Sequence, residues 1–337
     1  MTLTGELRDR HSPLARFLRT RFPNARPIAG EVRARLADTT TIQPSLPLGA
    51  HYTTIGTAFD WRLRYYVSLT PGRGLQPSPG ARPEWIQFLE SLDHTTRRAQ
   101  PVGRRLDRRA EDLLNRHCVV LALQEQHDRA GPEAIQQTLR FDLEPRRTVQ
   151  DFLAIAEDHW LVDLRSLSWA AYDTLGDLLL RPAVVNPTFA GSADVGGADA
   201  DLILDNCLVE IKTTRQPRGV GGWLYQLLGY ALLDYPDRFQ IRTVALYLAR
   251  QSTFVRWPLD ELLYTMAGGT VAPLAELRGE LLEVLKREKL GVLDRWPRSV
   301  HDRIGTTRPP QPRASSDNGT PGAGAGEIQL ELPVVRA

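Results

Sequence analysis

The chain has 337 residues, 42% hydrophobic and 24% charged, with a formal net charge of +2. No apolar run approaches the roughly 18 to 20 residues that span a bilayer. The opening MTLTGELRDRHSPLARFL lacks the uninterrupted apolar core of a signal peptide, so a cytoplasmic protein with no membrane partner is expected. Cys118 and Cys207, the two cysteines, argue against a disulfide framework, a four-thiolate zinc site and a cysteine-ligated iron–sulfur cluster.

Residues 1–45 are rich in arginine and broken by proline, with one short helix expected around Leu14–Phe22. A helix is expected over 53–67, covering IGTAFDWRLRYYV, and the glycines and prolines of Thr70–Pro83 then interrupt any regular element. From Glu84 to Arg181 apolar residues recur at three- and four-residue spacing in WIQFLESL, RRAEDLLNRHCVVLALQEQH, VQDFLAIAEDHW and LRSLSWAAYDTLGDLLL, which predicts helices. Within that region Arg97, Arg98, Arg104, Arg105, Arg108 and Arg109 form a basic run, a solvated face or a phosphate-tracking surface. His117 and His127, ten residues apart, do not have metal-ligand spacing.

The pattern changes at Pro182. Short strands are predicted at Val184–Phe189, Asp199–Asp205 and Cys207–Thr213, a helix at Gly222–Tyr235, and strands at Ile241–Ala249 and Thr253–Trp257. Helices at Leu259–Met266 and Pro273–Lys289 close a domain expected over 46–290. From about Gly305 a proline, glycine and serine tract is too poor in apolar residues to order itself, and it ends in EIQLELPVV.

The stretch DADLILDNCLVEIK, Asp199–Lys212, carries the most chemistry. Asp205-Asn206 suits a two-residue turn, and a hairpin closed there pairs Leu204 with Cys207, Ile203 with Leu208, Leu202 with Val209 and Asp201 with Glu210. Directly opposed residues project to one side, so Asp199, Asp201, Glu210 and Lys212 share a face, while Leu202, Leu204, Cys207, Val209 and Ile211 share the other. Opposed acids repel and call for a cation, and a divalent metal with Lys212 beside it is the candidate. Lys212 is one of three lysines among 42 basic residues, so an ammonium stands here against a strong bias towards arginine.

These residues and the element order resemble the PD-(D/E)XK nuclease superfamily, especially its RecB-like branch. Glu210-Ile211-Lys212 is similar to the acid–x–lysine signature, and Asp201 before Leu202-Ile203-Leu204 to its upstream aspartate. Gln226-Leu-Leu-Gly-Tyr230 is similar to the branch's helical Gln-x-x-x-Tyr motif. Gly56-Thr-Ala-Phe-Asp60 is similar to the first-helix motif, with Asp60 where histidine is common. The resemblance implies an α/β (α+β) fold with a central mixed sheet flanked by helices, a helical insertion at 84–181 and a catalytic core at 182–257. It also implies a Mg²⁺- or Mn²⁺-dependent deoxyribonuclease of bacterial DNA repair, recombination or defence. A non-catalytic nucleic-acid-binding protein on the same scaffold is the alternative. By the same resemblance Asp201, Glu210 and the Ile211 carbonyl hold the metal and Lys212 stabilises developing charge. Gln226 and Tyr230 position the nucleic acid or the lysine, and Asp60 and Asp199 are further acids that could join the metal. Four cluster-binding cysteines, present in many RecB-like members, are lacking here, so no iron–sulfur cluster is expected. In the tail, Gln329-Leu-Glu-Leu-Pro333 resembles the short peptides that dock on the bacterial sliding clamp.

Overall fold

In the structure, a computed structural model describing residues 2–45, 52–70, 82–130 and 148–295, the Asp199–Lys212 stretch lies within a five-stranded mixed sheet. The strands are β1 (Ala183–Val185), β2 (Leu202–Leu204), β3 (Cys207–Lys212), β4 (Thr243–Leu248) and β5 (Thr253–Pro258), adjacent in that order. All neighbours pair antiparallel except β3 and β4. That parallel pair needs a crossover, which a helix supplies. The Cα register of the hairpin is the expected one: Leu204 with Cys207, Ile203 with Leu208 and Leu202 with Val209. Asp205 in the turn takes the left-handed φ of 57° that aspartate tolerates.

Helices cover both faces of the sheet. On one side α1 (Leu3–Arg8), α2 (Pro13–Arg21), α3 (Ala25–Leu36), α9 (Val220–Leu233), α10 (Leu259–Ala267) and α11 (Leu274–Arg295) bury Ile203, Leu208, Val244, Leu246 and Leu248. On the other, α4 (Tyr52–Val67), α5 (Pro83–Ala99), α6 (Arg108–Ala130), α7 (Val149–Leu153) and α8 (Asp158–Leu175) bury Leu202, Leu204, Cys207, Val209, Ala245 and Tyr247. The period-2 alternation of the strands thus divides two apolar cores, as a sheet between helical layers requires. Met1–Leu290 form one compact unit, holding every element above except the end of α11, and Gly291–Ala337 form a second. Among the described residues no helix is long and apolar enough to cross a membrane.

Several boundaries differ from expectation, each for a local reason. The first 45 residues hold three helices rather than one. Pro27 stands in the first turn of α3, where its missing N–H has no intrahelical acceptor to lose, and at Gly30 nothing lies within 4 Å of where a Cβ would sit. Leu3, at the start of α1, packs on Gly229 in the middle of α9, where an added Cβ would lie 3.0 Å from Leu3 Cδ1. The single helix expected over VQDFLAIAEDHW is two. Thr148 and Asp151 form a capping box that starts α7, and Arg116 of α6 donates to the carbonyls of Leu153 (3.0 Å) and Ala156 (2.6 Å), which ends it. β1 stops early because Asn186 turns the chain with φ 47° ahead of Pro187. The tail and its Gln329–Pro333 motif lie outside the described residues.

Candidate functional site

The hairpin and α4 line a cleft of about 910 Å³, and α9 reaches it only through the bond of Gln226 to Lys212. Asp201 lies one step before β2, so extending the observed register by one pair sets it opposite Glu210, and its Oδ2 accepts from the Ile211 backbone N–H at 2.6 Å. Asp201, Ile211 and Lys212 line the cleft, while Glu210 lies deeper, only 2% exposed. Lys212, two residues along the same strand face, donates to Glu210 Oε1 at 2.5 Å and to Gln226 Oε1 at 3.2 Å. The other Glu210 oxygen, Oε2, is buried without a hydrogen-bond partner.

Gln226 and Tyr230 share one face of α9, four residues apart, as the helix period dictates. Gln226 Nε2 donates to the Tyr230 hydroxyl at 3.0 Å, and that hydroxyl donates to the Asp199 carbonyl at 2.7 Å. Each bond in this series runs one way only: phenol to carbonyl, amide N–H to phenol, ammonium to amide oxygen. Tyr230 therefore fixes the orientation of the Gln226 amide, and Gln226 fixes Lys212. Tyr230 is 4% exposed and does not line the cleft. Asp199 is exposed on the cleft wall and serves this series through its backbone carbonyl.

On α4, Gly56, Asp60 and Arg64 follow at four-residue intervals and all line the cleft. A Cβ at Gly56 would sit 2.8 Å from Thr213 Oγ1, so glycine lets α4 approach the end of β3 closely. Asp60 is ion-paired with Arg64, leaving Asp60 Oδ1 buried and without a hydrogen bond. Arg64 was not singled out in the sequence, although the i,i+4 spacing from Asp60 is a legible signal. Arg250 gave no such signal. It lies in a 3₁₀ turn after β4 and donates from Nε to the carbonyl of Thr213, the residue after Lys212, at 2.8 Å. Its two terminal nitrogens each bond an oxygen of Asp163 on α8 at 2.8 Å, and this pair is almost wholly buried.

The electrostatics are those of an acid pair in want of a cation. Burial comes first in holding the Asp201 carboxyl well above the usual carboxylate range, and the charges of Glu210 and Asp60 add to it against Lys212. Burial raises Glu210 as well, opposed chiefly by Lys212. Each acid therefore binds its proton more tightly folded than unfolded. The resulting penalty is absent at low pH, where both states are protonated, and it grows as pH rises through the ordinary carboxylate range. Asp201→Asn is accordingly expected to raise the Tm of the metal-free protein at pH 7, with the gain shrinking as pH falls. Scanning calorimetry at several pH values measures this; a lower Tm for the variant at pH 7 would count against the strained pair.

No family model, curated protein or solved structure matches this chain. What the site can do follows from its own atoms. Among the described residues no three His, Cys, Asp or Glu side chains converge as a ready metal cage. The donor set does suit a hard divalent cation that keeps several waters: a carboxylate oxygen of Asp201, the orphaned Glu210 Oε2, the Ile211 carbonyl, and the orphaned Asp60 Oδ1. His117 and His127 stand apart from it. His117 is buried on α6 between Leu113 O and Ser91 Oγ, where burial lowers its pKa to about 4, and His127 is on the surface beside Asp128. Cys118 and Cys207 are both buried and free.

Proposed function

We propose that this chain is a metal-dependent deoxyribonuclease with a PD-(D/E)XK core of the RecB-like type, acting in DNA repair, recombination or defence. The observation that carries the reading is the opposition of Asp201 and Glu210 across the hairpin, with Lys212 bonded to Glu210 on the same face and Glu210 Oε2 left unpaired. A merely solvated charged face needs neither burial nor opposed acids.

Asp201, Glu210 and the Ile211 carbonyl would hold Mg²⁺ or Mn²⁺, with Asp60, whose charge acts on both carboxyls, as a further acid. Bound there, the ion supplies charge neutralisation at a phosphate and lowers the pKa of water. An ammonium has three donors, and Lys212 spends two on Glu210 and Gln226. The third is free to meet an oxygen of the scissile phosphate, where negative charge develops. Tyr230 and Gln226 keep that donor aimed, and they pay the ordering cost before substrate arrives. At the rim, exposed Arg8 and Arg215 offer phosphate contacts above an acidic floor, so a polyanion is drawn to the edge while the cation is drawn to the bottom.

The test is incubation of labelled single- and double-stranded DNA with and without Mn²⁺, alongside calorimetric titration of Mn²⁺ into the wild type and Glu210→Gln. Cleavage that depends on Mn²⁺, with Mn²⁺ affinity lowered tenfold or more in the variant, is expected. Equal Mn²⁺ binding by the two proteins would remove Glu210 from the metal site. DNA binding without cleavage under any divalent metal would favour the non-catalytic alternative.

A further inference from the structure

The most basic stretch of the described surface lies away from the cleft. Six arginines and one acid, Asp107, occupy residues 97–109, which run through the last turn of α5, the connecting loop and the first turn of α6. The six arginines are exposed. Arg97, Arg105 and Arg108 each have a carboxylate within reach, at 2.8, 3.5 and 3.8 Å, from Asp93, Asp173 and Asp112 respectively. Asp112 is shared, since Arg165 of α8 also pairs with it. Asp107 spends an oxygen on the backbone N–H of Ala110, capping α6. Arg98, Arg104 and Arg109 have no carboxylate partner among the described residues.

Two further features set this surface apart from an ordinary solvated face. Arg108 and Arg109 stand in the first turn of a 23-residue helix, where the aligned peptide dipoles already present positive charge and acids are the stabilising choice. Such a placement is unfavourable unless an anion offsets it. Beside them Trp169 is flanked by two guanidiniums, Arg105 at 4.6 Å and Arg165 at 5.7 Å from the ring centre, and its indole N–H is spent on the Leu106 carbonyl. The ring is thus already engaged by two guanidiniums. Arginine forks unmatched by acids suit phosphate oxygens, and an occupied aromatic suits contact with backbone rather than bases.

We propose that this surface is a second nucleic-acid-binding site, which holds the phosphate backbone of a duplex without reading its sequence. Along α6, Arg109 is sixteen residues from Glu125 on the cleft wall, so the two sites are separated by about 24 Å along the helix axis. The choice of nucleic acid as the polyanion rests on the nuclease reading; the surplus of unpaired cations does not.

The test uses the full chain in EDTA, so that binding is measured without cleavage. Fluorescence anisotropy on a 30-base-pair duplex, from about 50 to 200 mM salt, gives the slope of log affinity against log salt for the wild type, Arg98→Gln/Arg104→Gln/Arg109→Gln, and the same triple to Lys. Three lost phosphate contacts should flatten the slope by about 2 to 3 in the Gln triple, while the Lys triple keeps it. A slope unchanged in the Gln triple overturns the site. So does equal displacement of duplex by polyglutamate of matched charge, which would make the partner an acidic protein. A full salt slope in a protein that never cuts DNA would sink the nuclease reading and leave this surface standing.

Discussion

Lys212→Ala is expected to lower the single-turnover rate of Mn²⁺-dependent DNA cleavage by at least about two to three orders of magnitude, the usual effect of removing one well-aimed electrostatic donor. The fold should survive. Lys212 is partly exposed at the cleft, and without it the buried Glu210 carboxyl can take a proton, for which its surroundings already raise its affinity. Lys212→Arg should not restore the rate. The ammonium sits within hydrogen-bond distance of both Glu210 and Gln226, and a planar guanidinium cannot put a single nitrogen at that point with the same freedom. Rates measured at saturating Mn²⁺ separate this from weakened metal binding, and wild-type cleavage by Lys212→Ala would sink the catalytic assignment.

The second large effect is expected at the ion pair behind the end of β3. Asp163→Ala strands the Arg250 guanidinium, 1% exposed, with no counter-charge, and such a loss destabilises by about 3 to 5 kcal/mol. The double variant Asp163→Leu/Arg250→Met should recover much of that stability in urea denaturation, because apolar side chains of similar size remove both desolvation penalties. It should not recover activity. The Arg250 side chain is the donor to the Thr213 carbonyl, so without it the strand end that carries Lys212 loses its brace, although the Ile42 N–H still donates to the backbone carbonyl of residue 250. If the double variant cuts DNA at the wild-type rate, the brace has no part in the chemistry.

The two effects also mark what the sequence makes legible. The hairpin can be read because its information is local: alternation assigns faces, and a turn-favouring pair fixes the register within fourteen residues. Gln226 with Tyr230, and Gly56 with Asp60, are read from helical spacing for the same reason. Arg250 and Asp163 are 87 residues apart on elements whose mutual placement no local pattern encodes, so their pairing was not foreseen. The break between α7 and α8 escaped for a related cause, since the side chain that ends α7 comes from another helix, at Arg116. In α3, Pro27 and Gly30 count against a helix in any composition-based reading, yet here they fall where they cost little.

The seating of the first helices on α9 bears on the order of assembly. Leu3 rests on Gly229, between Gln226 and Tyr230, and the Tyr225 hydroxyl donates to the Phe22 carbonyl, 203 residues away in sequence. A nascent chain exposes the apolar faces of α1–α3 through most of its synthesis, because their partner helix emerges some two hundred residues later. Contacts of such long range slow folding. Docking of α1–α3 is therefore expected to be a late step, and with it the final packing around the helix that bears Gln226 and Tyr230.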